Sequence, residues 1–140
     1  MTQKRSLKTL GIQEHNKSES WEILFHDEFL GEYKTWSESL QDALLSSLGR
    51  LRAFGPLLGR PGVDTLNGSN YPNMKELRVD ADDGVWRIAF AFDPKRRAIL
   101  LVGGDKAGIS KDRFYSALIR IADARYGQHL KRIDSERKKK

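Results

Sequence analysis

The chain has 140 residues, no cysteine and a formal net charge of +6. That length suits one domain with a real core and little more. The absence of cysteine excludes disulfides, thiolate catalysis and cysteine zinc sites, and no apolar run approaches the ~20 residues a membrane helix needs.

Residues 1–20 carry four basic and two acidic side chains and show no period. They read as a mobile N-terminal arm. They lack the apolar stretch of a secretory signal, so the expected location is the cytoplasm. A first strand is expected over residues 21–25. Asp27 then offers an N-cap for a short helix in which Phe29, Leu30, Tyr33 and Trp36 recur at helical spacing. Ser39 with Asp42 resembles a capping box for a second helix whose Leu40, Ala43, Leu44, Leu48, Leu51 and Phe54 share a face. Gly55-Pro56 stops it. The two helices read as a hairpin laid on a sheet.

Residues 55–73, GPLLGRPGVDTLNGSNYPN, are rich in turn residues and read as a long ordered loop or lid. Three strands follow, over residues 74–80, 85–92 and 98–102. In the second, Trp86, Ile88, Phe90 and Phe92 alternate with Val85, Arg87, Ala89 and Ala91. Asp82-Asp83-Gly84 and residues 93–97 make the turns, and Gly103-Gly104 is expected to end the last strand. A final helix begins near Lys111 or Asp112, with Phe114, Leu118, Ile121 and Ala122 as its apolar stripe, and extends toward Ile133. The order is β-α-α-β-β-β-α, an α+β fold with a mostly antiparallel sheet, the first strand joining at an edge. The expected division is an arm (1–20), a domain (21–127) and a basic C-terminal extension (128–140). That extension holds six basic and two acidic side chains, and its ERKKK end is expected to fray.

Arg87 is the residue that demands explanation, because a charge within an apolar strand is costly to bury unpaired. It is either a structural arginine paired with Glu76 or Asp105, or a ligand for an anion. Lys106 and the RFY run ending at Tyr115 follow closely. Lys75 and Arg78 flank Glu76 and Asp80, as an ordinary charged strand face or as contacts to RNA. Lys95 and Arg96 are most simply solvated turn charges and otherwise an outer RNA contact. Asp82-Asp83-Gly84 has the wrong spacing for a calcium loop, and no metal or cofactor is expected. His26 reads as a surface or capping residue. Trp21, Tyr33, Trp36 and Tyr71 would mark a partner surface if exposed.

The combination GRPGVDTLNGS…KELR…WRIAFAFDP…GGDK resembles the RelE/ParE toxin superfamily, and within it the HigB-type, phage-derived branch of toxin–antitoxin modules. The likeness covers roughly residues 20–120. It implies a fold like that of microbial ribonucleases and a metal-independent endoribonuclease that cuts mRNA on the ribosome and so inhibits translation. It also implies silencing by a cognate HigA-like helix-turn-helix antitoxin in a hetero-oligomer. Carried onto this chain, it places Arg87 at the scissile phosphate, Lys106 beside it, Tyr115 as a catalytic or stacking group, and Lys75 and Arg78 on the RNA. In the ParE branch the same fold inhibits DNA gyrase instead, and a copy serving only as a binding module is a further alternative.

The chemistry is compatible with the residues. Metal-free RNA cleavage needs an activated 2′-hydroxyl and cations for the charge developing on the phosphate. An arginine fork can hold two phosphate oxygens, and such electrostatic stabilisation can dominate. None of His15, His26 and His129 lies beside the cluster in sequence. A site without histidine must use Lys, Tyr, Asp or Glu, with Asp105 and Glu76 as candidate proton acceptors, or rely on positioning within the ribosome.

Overall fold

The computed structural model describes residues 20–138. The expected N-terminal arm lies outside them except for Ser20. Five strands form one sheet in the order β1-β5-β4-β3-β2, where β1 is Glu22–Phe25, β2 Val63–Thr65, β3 Met74–Ala81, β4 Gly84–Phe92 and β5 Arg97–Asp105. Only β1, at one edge, runs parallel to its neighbour β5; the other pairings are antiparallel. Helices α1 (Asp27–Tyr33) and α2 (Glu38–Phe54) cover one face, and α3 (Lys111–Lys138) covers the other.

Both faces of the central strands are therefore buried, which is why β4 and β5 read as nearly continuous apolar runs. On one side Leu40, Leu44, Leu48 and Leu51 of α2, with Phe29 of α1, pack on Leu77, Val79, Ile88, Phe90 and Leu100. On the other, Phe114, Leu118, Ala122 and Tyr126 of α3 pack on Met74, Ala89, Ala91, Ile99 and Leu101.

Turn chemistry sets the strand meander. Asp82 and Asp83 both adopt positive φ, 54° and 58°, as a two-residue hairpin between Ala81 and Gly84 requires. The Asp82 carboxylate accepts hydrogen bonds from the Ser37 and Ser39 hydroxyls, tying the start of α2 to this turn.

Several local expectations need correction. The first helix is capped by His26, whose Nδ1 accepts from the Glu28 amide at 3.1 Å, so Asp27 is its first residue. The second is capped by Ser37, whose hydroxyl accepts from the Leu40 amide at 3.2 Å, in place of Ser39. The stretch read as a loop contributes β2, which pairs with β3. Trp21, Tyr33, Trp36 and Tyr71 are half-buried against other aromatics and do not form an exposed surface.

Gly103 and Gly104 do not end the last strand, because β5 runs through both. A bulge explains them. Ala89 pairs with Val102 while Phe90 pairs with Leu100, so Leu101 is the extra residue. The spare Leu101 carbonyl accepts from Arg125 Nη1 at 2.8 Å. Beyond the bulge, a Cβ on Gly103 would stand 2.9 Å from the Trp36 ring on one face, and one on Gly104 3.0 Å from Phe114 on the other. Each glycine makes room for an aromatic ring.

The last helix runs past residue 127 to Lys138. His129 and Ile133 are buried. His129 Nε2 bonds Asp93 at 2.8 Å, and Lys95 pairs with Glu136 at 3.7 Å. These contacts fasten the basic end of the helix to the β4–β5 turn. No helix among the described residues is long and apolar enough to cross a membrane.

Candidate active site

Alternation along the strands decides which charges meet. Residues 74, 76 and 78 of β3 and 87, 89 and 91 of β4 point toward α3, and the intervening residues toward α2. Arg78 and Arg87 are register partners on that shared face. Two like charges directly opposite each other are unfavourable, and Glu76 lies between them. Arg78 Nη2 donates to Glu76 Oε2 at 3.1 Å, and Arg87 Nε stands 3.8 Å from Oε1. Glu76 itself is only 4% exposed.

Helix α3 completes the group. Its buried stripe of Phe114, Leu118, Ala122 and Tyr126 sets Tyr115 over the sheet. The Tyr115 hydroxyl donates to Glu76 Oε1 at 2.7 Å. Burial, followed by this bond and the Glu76 charge, pushes the phenol pKa up, with Arg87 opposing. Tyr115 thus holds its proton tightly and is no base. Lys106, whose amide is pinned to the Val85 carbonyl at 2.8 Å, holds its ammonium 5.8 Å from the centre of the Tyr115 ring.

These side chains sit on the floor of an open cleft of about 790 Å³ between β2, the loop after it and the first turns of α3. Glu76, Arg78, Lys106 and Tyr115 line it directly. Arg87 does not; it lies behind Glu76 with its side chain 11% exposed. Its Nη1 donates to the Trp86 carbonyl at 3.0 Å, its approach to Asp80 is a long 4.0 Å, and among the described residues its buried Nε has no hydrogen-bond partner. A buried donor left unmet is rare and calls for a reason.

Asp105 is accounted for otherwise. Its Oδ1 accepts from the Val85 and Ala107 amides at 2.9 and 3.0 Å, shaping the turn after β5. That leaves Glu76 as the carboxylate at the cleft floor.

Three residues singled out in the sequence do not join the group. Lys75 alternates onto the α2 face. Lys95 and Arg96 occupy the far end of the β4–β5 hairpin, where Lys95 pairs with Glu136 and the Arg96 guanidinium lies 4.7 Å over the Trp21 ring. Conversely, the cleft recruits residues that sequence reading passed over. Asp64 binds Arg78 and Arg60, both at 3.2 Å. The Thr65 amide foremost, then these arginines, holds its carboxyl below the usual value. Asn67, Lys111, Ser116 and Arg120 line the walls. Their common signal, polar residues flanking the LNGSN turn and opening the last helix, has no meaning until helix and loop are known to face each other. Among the described residues, no group of three or more His, Asp or Glu side chains could hold a metal ion.

The profile of the family described as phage-derived protein Gp49-like matches residues 32–127. Over 100 residues the chain is 51% identical to the toxin candidate HigB3 of Mycobacterium tuberculosis, covering 69% of this chain and 85% of that protein. It is 39% identical over 100 residues to HigB2 of the same organism, covering 71% of this chain and about half (49%) of that longer protein. A mutant of Escherichia coli toxin RelE in the free state superimposes with a TM-score of 0.53 at 11% identity, covering 71% of this chain and 94% of that one. That last likeness is one of fold.

Proposed function

The chain belongs to the phage-derived Gp49-like family of toxins, and on that footing we propose that it is a ribosome-dependent endoribonuclease that cuts mRNA. An antitoxin partner follows from the family; that it is a HigA-like helix-turn-helix protein is part of the proposal. The observation that carries the reading is the 2.7 Å hydrogen bond from Tyr115 to Glu76 on the floor of a cleft lined by Arg78 and Lys106. A phenol, a carboxylate and two cationic side chains meet there on separate elements.

In the proposed reaction the Glu76 carboxylate takes the proton of the ribose 2′-hydroxyl. The 2′-oxygen forms a bond to phosphorus and the bond from phosphorus to the 5′-oxygen breaks. The Tyr115 phenol protonates the departing 5′-oxygen. Glu76 then returns its proton to the phenolate across their hydrogen bond, and both groups regain their starting state. The products are a 2′,3′-cyclic phosphate and a 5′-hydroxyl. Lys106 and Arg78 face the non-bridging oxygens, where fixed positive charge lowers the barrier most. Arg87 acts from behind: its guanidinium faces the Glu76 carboxylate between the strands and holds it in place.

The test is inducible expression with mRNA 5′-ends mapped, repeated with purified ribosomes. Cuts that need the ribosome and vanish with Lys106→Ala support the reading. Growth arrest with intact mRNA and a DNA-damage response would favour the gyrase inhibitor of the same fold. Harmless expression without ribosome binding would leave only a binding module.

A further inference from the structure

The phosphate chemistry proposed above uses only the cleft floor, yet the cavity is of a size that typically holds a molecule of several rings. Its outer half has a different character. The wall opposite α3 is the turn Leu66, Asn67, Gly68, with Ile119 facing it from the helix. Gly68 has φ +99°, and a Cβ built there would meet only Ile119 Cδ1, at 3.5 Å. The result is a bare backbone edge beside an apolar ledge, a shape suited to the flat face of a ring.

This turn is fastened. From α3, Asp123 accepts from the Ser69 hydroxyl at 2.5 Å and from the Asn70 amide at 2.9 Å. Ser69 in turn accepts from the Tyr71 amide at 2.9 Å. Asp123 does not line the cleft; it sets the spacing between loop and helix. A recognition element fixed in this way loses little entropy on binding.

At the tip stands Asn67. It is exposed, it lines the cleft, and among the described residues it makes no hydrogen bond. Its amide offers a donor and an acceptor side by side, the pattern that matches one edge of a nucleobase. The side chains of Arg120 and Lys111 also line the cleft without a bonded partner among the described residues and can hold a neighbouring phosphate.

We propose that the Asn67 turn, braced by Asp123, is a base-reading subsite that selects which nucleotide lies next to the scissile phosphate. The inference rests on the nuclease reading above. Asn67 touches the base and Asp123 is a positioning residue.

The experiment maps 5′-ends on defined mRNAs translated with purified ribosomes, comparing wild type, Asn67→Ala and Asn67→Asp at matched total cleavage. Circular dichroism checks that each variant folds. At matched total cleavage, the expected result is a ratio of favoured to disfavoured sites reduced about five-fold or more in Asn67→Ala, the lower end of what one bidentate base contact discriminates. Asn67→Asp, which exchanges donors for an acceptor, should redistribute the cuts. Asp123→Ala should flatten the preference in the same sense. If wild type cuts and both Asn67 variants cut at the same sites with the same ratios, the subsite is overturned while the nuclease stands. If wild type makes no ribosome-dependent cuts, the nuclease reading fails, and this one with it.

Discussion

Tyr115 and Glu76 lie 39 residues apart in the chain, yet the phenol of one donates a 2.7 Å hydrogen bond to the carboxylate of the other. The bond crosses from the second turn of α3 to β3 and closes the floor of the cleft. It joins a proton donor with a raised pKa to a carboxylate flanked by two guanidinium groups.

Glu76→Gln should lower ribosome-dependent cleavage by about 10²–10⁴-fold, the span of a general base, as measured by single-turnover cutting of a defined mRNA. It also removes the carboxylate that lies between Arg78 and Arg87. Urea unfolding should show a loss of about 3 kcal/mol or more, since a buried charge is left without its partner. Activity without a carboxylate at this position would rule out the proposed proton path.

Tyr115→Phe separates chemistry from stability. Loss of one hydrogen bond should cost about 1 kcal/mol in unfolding experiments, while cleavage should fall by ~10²-fold or more. Because the folded phenol binds its proton more tightly than a free one, an absorbance titration should lose a component above the ordinary tyrosine range in this variant. A component lost at or below pH ~10 would contradict the assignment.

Arg87→Ala should be worse folded than Arg87→Lys, because Glu76 is then buried without the cation behind it. Arg87→Lys keeps the charge but not the planar fork. It should restore most of the stability and little of the activity, a split that thermal melts and cleavage assays read on the same samples.

Gly104→Ala puts a methyl 3.0 Å from the Phe114 ring. Overpacking of this kind costs about 1–3 kcal/mol. It should push the start of α3 off the sheet, so Tyr115 fluorescence and cleavage change together. Ala in place of exposed Gly49, where nothing lies within 4 Å, should be harmless or slightly stabilising.

Asp93 supplies a pH prediction at the other end of the molecule. Burial, the largest influence, would raise its pKa; hydrogen bonds from His129, the Arg97 amide and side chain, and the Lys95 amide outweigh it and bring the value down. A carboxyl depressed in the folded state stabilises fully above its unfolded value of about 4 and ceases to as pH falls through the folded value. Asp93→Asn should therefore cost about 3–5 kcal/mol at pH 7, and the gap to wild type should narrow in acid. A gap that stays constant from pH 7 to pH 2 would refute the linkage.

The chain announces its elements locally. Alternation marked β3 and β4, the 3.6-residue period marked α2 and α3, and the paired aspartates marked the hairpin at Gly84. The edge position of β1 and the α+β class followed from the order of elements. Arg87 and Tyr115 stood out because a charge in an apolar strand and an aromatic opening a basic helix are visible without coordinates.

Other relationships depended on distance through space. The bulge at Leu101 resets which face each later residue of β5 meets, so two glycines that look like a strand end are sites of ring packing. Lys75 and Arg78 look equivalent in sequence, but their odd separation sends them to opposite faces. Asp64 and Asn67 gain meaning only once Asp123 brings their segment against α3. Periodicity is a property of neighbouring residues and can be read from the chain itself. Which side chains share a cleft depends on register, bulges and helix docking, and those are settled by packing between segments far apart in sequence.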